Sequence, residues 1–417
     1  MSKTSLALNN LRGYAILIIL AFHSCIAYVS HQPAAPLPFD KPPYGWMANP
    51  IVDSDRWLGF DIFCAFTFLY MMQLMFFLSG LFVWPSLKRK SATVFFYDRF
   101  LRLGVPFVFG IYLLMPLGYF AVYRQTAADP GWSAYWPHLT ALPFWPDGPL
   151  WFLWILLAFN VAAAIVFRIV PGLVELPARL SANAVPGRLF MGLAGAAALI
   201  SLGFGFFFTP WQWIDYGPLS FQPLVLPQYA VFFLFGVIVG ASGLERGLFA
   251  ADGLLARRWG RWLAGTLASF VLWISLSALI FSGWKVPGLQ IVAELAQVMF
   301  AVTACFAASA IFLRFAAKPW PILDSISENA YGLYLFHYVF VLWTQYLLLD
   351  VALPAIAKGA IVFGVTLGLS WAVTAAVCSV PFGARMIRGQ RRTALAGARA
   401  GAGRGVAERG AAGQTEV

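Results

Sequence analysis

This 417-residue sequence predicts an all-α, polytopic membrane protein of about ten transmembrane helices with both termini cytoplasmic, on three observations. First, 61% of its residues are hydrophobic and only 11% charged, with a mean hydropathy of +0.76, a composition suited to lipid. Second, apolar stretches of the roughly 20 residues needed to cross a hydrocarbon core of about 30 Å recur along nearly the whole chain. Third, the basic residues fall in alternate loops, as they must when successive helices reverse direction.

The first span, 11–30, begins LRGYAILIILAFHSC and has no convincing small-residue cleavage site after His23, Ser24 and Cys25, so it is expected to stay as a permanent helix. The second (57–84) and third (103–123) flank the basic segment KRKSATVFFYDRFLR, and the fourth (149–169) starts within GPLWFLW. An Ala- and Gly-rich run supplies the fifth (189–208), and the sixth is shorter (228–243). The seventh (262–282), eighth (290–313), ninth (329–349) and tenth (355–379) complete the set. With the N-terminus inside, the internal segments hold 23 of the 28 basic residues, leaving Lys41, Arg56, Arg124, Lys285 and Lys358 outside. A missed or invented helix would invert every later loop and destroy this asymmetry.

The net charge of +11 is therefore mainly a topology signal, with attraction to an anionic inner leaflet, and gives no reason to expect nucleic acid as a partner. Residues 1–384 read as one transmembrane domain. Residues 385–417 read as a basic, Ala/Gly/Arg-rich cytoplasmic tail with too little to bury for folding. Cys25, Cys64, Cys305 and Cys378 all fall inside spans as small core residues, and the four histidines have no metal-ligand spacing, so no metal and no permanently bound cofactor is expected.

Arg12 and His23 lie eleven residues apart, a rise of about 16 Å and about three turns, so both point from one face of the first helix. The histidine lies near mid-membrane, where it is costly unless it meets a cavity or a partner. Either it hydrogen-bonds a neighbouring helix while Arg12 anchors the inner end, or the pair serves function. In the ninth span, ENAYGLYLFHYVF places Tyr331, Tyr334 and His337 at intervals of three, with His337 at nearly the depth of His23. Two histidines on helices of the same direction suit a polar chamber, while the tyrosines equally suit packing or the interface.

These residues resemble the integral-membrane acyltransferases of the acyltransferase 3 family, whose first helix carries an Arg or Lys, ten intervening residues and a His. The resemblance extends in order through MFFLSGLF (75–82), FFYDRFLRLGVP (95–106), GPLWFLWILLAF (148–159) and AYGLYLFHY (330–338). The long first external loop and the LRLGVP and LWFL stretches look most like the glucan succinyltransferase (glucans biosynthesis protein C) branch. The family implies a cytoplasmic acyl-CoA donor, with a succinyl or acetyl group among the candidates, and a periplasmic or lipid-linked carbohydrate acceptor at a cell inner membrane.

On that resemblance, thioester chemistry needs a base and oxyanion donors. His23 is the base, with a reference pKa of about 6.5 suited to proton transfer near neutral pH. Arg12 stands on the donor side, and His337 and Tyr334 orient or polarise. Arg99 and Arg102, one turn apart at the inner surface, suit CoA phosphates, or serve only as positive-inside anchors like Lys88, Arg89 and Lys90. Asp61 and Glu294, toward the outer ends of their spans, hold a histidine tautomer, bind acceptor or are merely solvated. Trp151 either stacks a sugar or belongs to the aromatic belt, and Ser79 in MFFLSGLF reads as close helix packing more readily than as an acyl carrier. A rival of another class is a proton-coupled transporter or flippase for a lipid-linked or anionic solute, relayed by His23 and His337. Its mark would be matching discontinuous helices in two halves, which the sequence does not display.

Overall fold

The computed structural model describes residues 2–170, 172–209, 212–245 and 247–388. Ten helical spans occupy the ten expected stretches. Eight are long and apolar enough to cross a membrane: Lys3–Tyr28, Leu58–Arg89, Ala92–Arg124, Gly148–Ile169, Pro186–Gly205, Trp259–Phe281, Leu289–Phe315 and Ala355–Ser379. The sixth, Leu226–Ser242, has 17 residues, the short limit for a span. The ninth, Pro321–Leu347, has the length but mixes Asp324, Glu328, Asn329, His337 and Gln345 into its apolar run, as befits a helix facing protein on most sides. Strands Ile214–Tyr216 and Leu219–Phe221 form a small antiparallel hairpin, the one sheet among the described residues.

Polar residues let the first helix start at Lys3, well before its apolar run. Ser2 caps it by accepting from the Ser5 amide at 3.2 Å. Thr4 donates to the Phe249 carbonyl at 2.9 Å, and fully buried Asn10 donates to the carbonyls of Ala316 and Lys318 at 2.7 and 3.1 Å. The first and ninth helices then run side by side in the same direction. Ser327 donates to the Asn9 carbonyl at one end, and Gln345 donates to the His23 carbonyl at 2.8 Å near the other.

The third span is one helix with two wide π turns, Phe100–Gly104 and Gly110–Leu114. Each lies just before a proline, Pro106 and Pro116, whose ring would strike the carbonyl four residues back, so the helix widens there and turns Arg102 relative to Arg99. In the second span, Gly80 meets the sixth helix so closely that a Cβ there would collide with the Phe233 carbonyl, which is the packing role read from Ser79-Gly80.

At the outer face, residues 29–57 form a pinned cap. Lys358, fully buried near the start of the tenth span, bonds both oxygens of buried Asp53 at 3.0 and 2.9 Å and Asp55 at 2.8 Å. Arg56 donates to the carbonyls of Gln32 and Pro33, and Gln125 exchanges two bonds with Val52. From the cap an aromatic series descends: Trp46 against Tyr119 (5.3 Å), Tyr119 against Tyr338 (6.0 Å), and Tyr338 edge-on to His23 (5.3 Å).

The last described helix, Pro381–Arg388, crosses the boundary between the expected domain and tail. Arg385 and Arg388 belong to this helix because Ala384 and Ile387 give it a buried face and Arg388 donates to Asn329 at 3.0 Å. The rest of the expected tail, 389–417, lies outside the described residues.

The distribution of the basic residues makes a prediction about sidedness. A cysteine placed at exposed Ser133, in a Cys378→Ser background, is expected to react with an impermeant thiol reagent added outside intact cells. One placed at exposed Asp252 is expected to react only after lysis. The reverse pattern would mean that the helix count is wrong.

Candidate active site

Arg12 and His23 stand on one face of the first helix, and the ninth helix brings His337 against that face. Nε2 of His337 lies 3.2 Å from Nδ1 of His23, with ring centroids 5.0 Å apart. His337 is fully buried and His23 partly so. The backbone assigns the protons of the neutral rings. Nδ1 of His337 sits 2.7 Å from the Tyr334 carbonyl, which only accepts, so Nδ1 donates and Nε2 is left as acceptor. Nδ1 of His23 is shared between the Ile19 carbonyl at 3.0 Å and that acceptor, so it donates as well. The lone pair of His23 therefore resides on Nε2, which has no hydrogen-bond partner among the described residues.

Below the pair, a recess opens to the basic face. Its inner chamber, about 330 Å³, reaches Ile16, Leu78, Phe152, Leu153 and Tyr334, the last being one helical turn from His337. An outer chamber of about 490 Å³ shares Arg12, Ser86, Arg89, Arg99, Arg102 and Tyr331 with it. Arg12 lies over the Phe82 ring at 5.6 Å and Arg99 over Phe95 at 5.0 Å, which keeps both cations close to the walls of the recess. Tyr334 donates to the Pro149 carbonyl and so ties the chamber's inner end to the start of the fourth span.

Asp61, Glu294 and Trp151, also singled out by sequence, do not line the recess. Asp61 does hold a histidine, but it is exposed His31 at 2.7 Å, together with the amides of Ser30 and His31; these contacts fasten the cap. Glu294 is half-buried beside Gly205 and has no contact with the histidine pair. Trp151 stacks on Tyr229 at 5.6 Å and 20°, and Ser79 lines the inner chamber without a neighbouring base.

Sequence reasoning missed Asp147, Tyr338 and the arginines of the last helix, and it assigned Arg89 and Lys90 to anchoring although both line the outer chamber. Asn160, a lone amide in an apolar span, was a visible signal that passed unused; it too lines the inner chamber.

Asp147 precedes Gly148, whose left-handed backbone (φ +49°) brings the chain so near Tyr338 that a Cβ would lie 3.0 Å from its ring. Its Oδ2 is buried without a partner, and burial raises the carboxyl well above the usual carboxylate range, against the lowering effect of hydrogen bonds from Ser220. The native state therefore holds this proton more tightly than the unfolded chain does. Stability is lost as pH rises from about 4 through the raised folded value. Asp147→Asn is expected to flatten that dependence, so that its thermal midpoint gains on the parent protein at alkaline pH. A midpoint difference identical at pH 5 and pH 9 would contradict this.

Residues 5–375 match the family model of the acyltransferase domain Acyl_transf_3. No curated protein and no solved structure matches the chain at a significant level.

Proposed function

Given that the chain belongs to the acyltransferase 3 family of membrane acyltransferases, we propose that it moves an acyl group from cytoplasmic acyl-CoA to a hydroxyl of a periplasmic or lipid-linked carbohydrate at the inner membrane, with His23 as general base. The observation that carries this reading is the recess. Its cationic mouth lies at the basic face and its inner chamber reaches Tyr334, one helical turn from a pair of hydrogen-bonded histidines.

The mouth suits the phosphates of the donor, since guanidiniums bind them through charge-assisted and often bidentate bonds. The inner chamber, whose deeper wall carries Ile16, Leu78, Phe152 and Leu153, suits the arm that brings the thioester toward His23. Nε2 of His23 takes the proton of the acceptor hydroxyl while its oxygen attacks the thioester carbonyl. The carbon–sulfur bond then breaks, and the proton passes to the departing thiolate, so the products are an ester and free CoA thiol. Charge gathered on His23 is shared along Nδ1 to His337 and on to the Tyr334 carbonyl, the base-plus-orienter arrangement common to activated nucleophiles. Succinyl and acetyl groups are the proposed acyl classes, and the pinned outer cap roofs the acceptor side.

The test is transfer of radiolabel from acyl-CoA to a membrane or periplasmic glycan in cells with and without the protein. Arg99→Gln/Arg102→Gln is expected to raise the apparent KM for acyl-CoA by about tenfold or more, two charge-assisted contacts being lost. Loss of activity with donor affinity unchanged would remove the arginines from donor binding.

A further inference from the structure

The outer chamber is not closed by the spans alone. The helix Pro381–Arg388, beyond the residues matched to the family, lays Arg385, Ile387 and Arg388 along its wall, opposite Arg12, Arg99 and Arg102. Three features make this a built wall. The helix buries Gly383, Ala384 and Ile387. Arg388 is aimed by a 3.0 Å bond from one terminal nitrogen to Asn329 of the ninth helix, while its Nε is buried without a partner. Seven basic side chains line the chamber against two carboxylates, Asp98, which is paired with Lys90, and Glu328.

We propose that Arg385 and Arg388 bind the 3′-phosphate on the adenosine end of CoA, so that the C-terminal helix completes the donor site. The inference rests on the donor reading above. Its geometric ground is order along the recess. The thioester must reach the inner chamber, the arm follows behind it, and the nucleotide is left at the mouth. Arg99 and Arg102 line both chambers and meet the diphosphate, whereas Arg385 and Arg388 line only the outer one and meet the phosphate farthest from the thioester. An anionic lipid headgroup offers the same phosphate chemistry, and the ligand comparison separates the two.

The experiment measures binding of CoA and of 3′-dephospho-CoA to the purified full-length protein in a neutral detergent, for the parent and for Arg385→Gln/Arg388→Gln. The parent is expected to bind CoA at least about tenfold more tightly than the dephospho form, the scale of one charge-assisted contact. The double variant is expected to bind both equally, with affinity for the dephospho form unchanged. If the variant keeps the parent's preference, or if the parent shows none, this assignment is wrong while the donor reading stands; an anionic lipid on the same arginines would give the second of these results. If the variant weakens both ligands alike, the helix serves architecture and the assignment is again wrong. If the parent binds neither ligand, the donor reading falls together with it.

Discussion

His23→Gln is expected to insert at near-normal levels, to bind acyl-CoA, and to lose acyl transfer by at least about 100-fold, the lower range for general base catalysis. Glutamine is close to histidine in size, and its amide can still donate toward the Ile19 carbonyl or His337, so the hydrogen bonds now made by Nδ1 have a substitute. The bond from Gln345 goes to the backbone carbonyl of residue 23 and is untouched by the change. What glutamine lacks is a nitrogen lone pair that can hold a proton where Nε2 of His23 stands. Specific activity and thermal stability of purified protein decide the matter together. Substantial turnover by a well-folded variant would remove the centre of the mechanism. A fall in stability with specific activity intact would make His23 a packing residue.

Lys358→Met is expected to lower stability by about 3–5 kcal/mol, the cost of breaking a buried ion pair from one side. Neither Lys358 nor Asp53 has any exposed side-chain surface, so removing the ammonium strands a carboxylate that water cannot reach, with Asp55 half-exposed beside it. The cap should loosen first, because Asp53 and Arg56 fix the chain that returns to the second span. Lys358→Met/Asp53→Asn/Asp55→Asn should recover most of the loss, since a neutral cluster carries no stranded charge. Thermal midpoints and protease sensitivity of residues 29–57 provide the measurement. Equal destabilisation in the single and triple variants would mean that packing, not charge, holds the cap.

Before any fold was visible, the histidines showed how far one-dimensional reasoning reaches. Helical rise placed His23 and His337 at matching depth, because depth along a rod is proportional to residue number. Contact between them depends on which rods are neighbours and how each is rotated, which residue number does not encode. Likewise the interval from Arg99 to Arg102 is plain in the sequence, but the π turn Phe100–Gly104 that contains Arg102 lies before Pro106 and breaks the 3.6-residue period. Asp61 stands inside an apolar stretch, so its position in the chain does not say which group it meets. Which histidine it holds, His31, was decided by a loop that folds back over 30 residues.

The sequence alone determined that the chain crosses a membrane many times, how the crossings alternate, and that Arg12 and His23 share a helical face. Hydropathy, charge and helical period act locally and leave their record in residue order. Tertiary structure decided the rest: the pairing of His23 with His337, the burial of Asp147 near Tyr338, the Lys358 pair that pins the cap, and the return of Arg385 and Arg388 to the wall of the outer chamber. Each of these joins residues far apart in the chain. Whether such groups meet depends on helix packing, where the fit of many small contacts selects one arrangement that no single segment specifies.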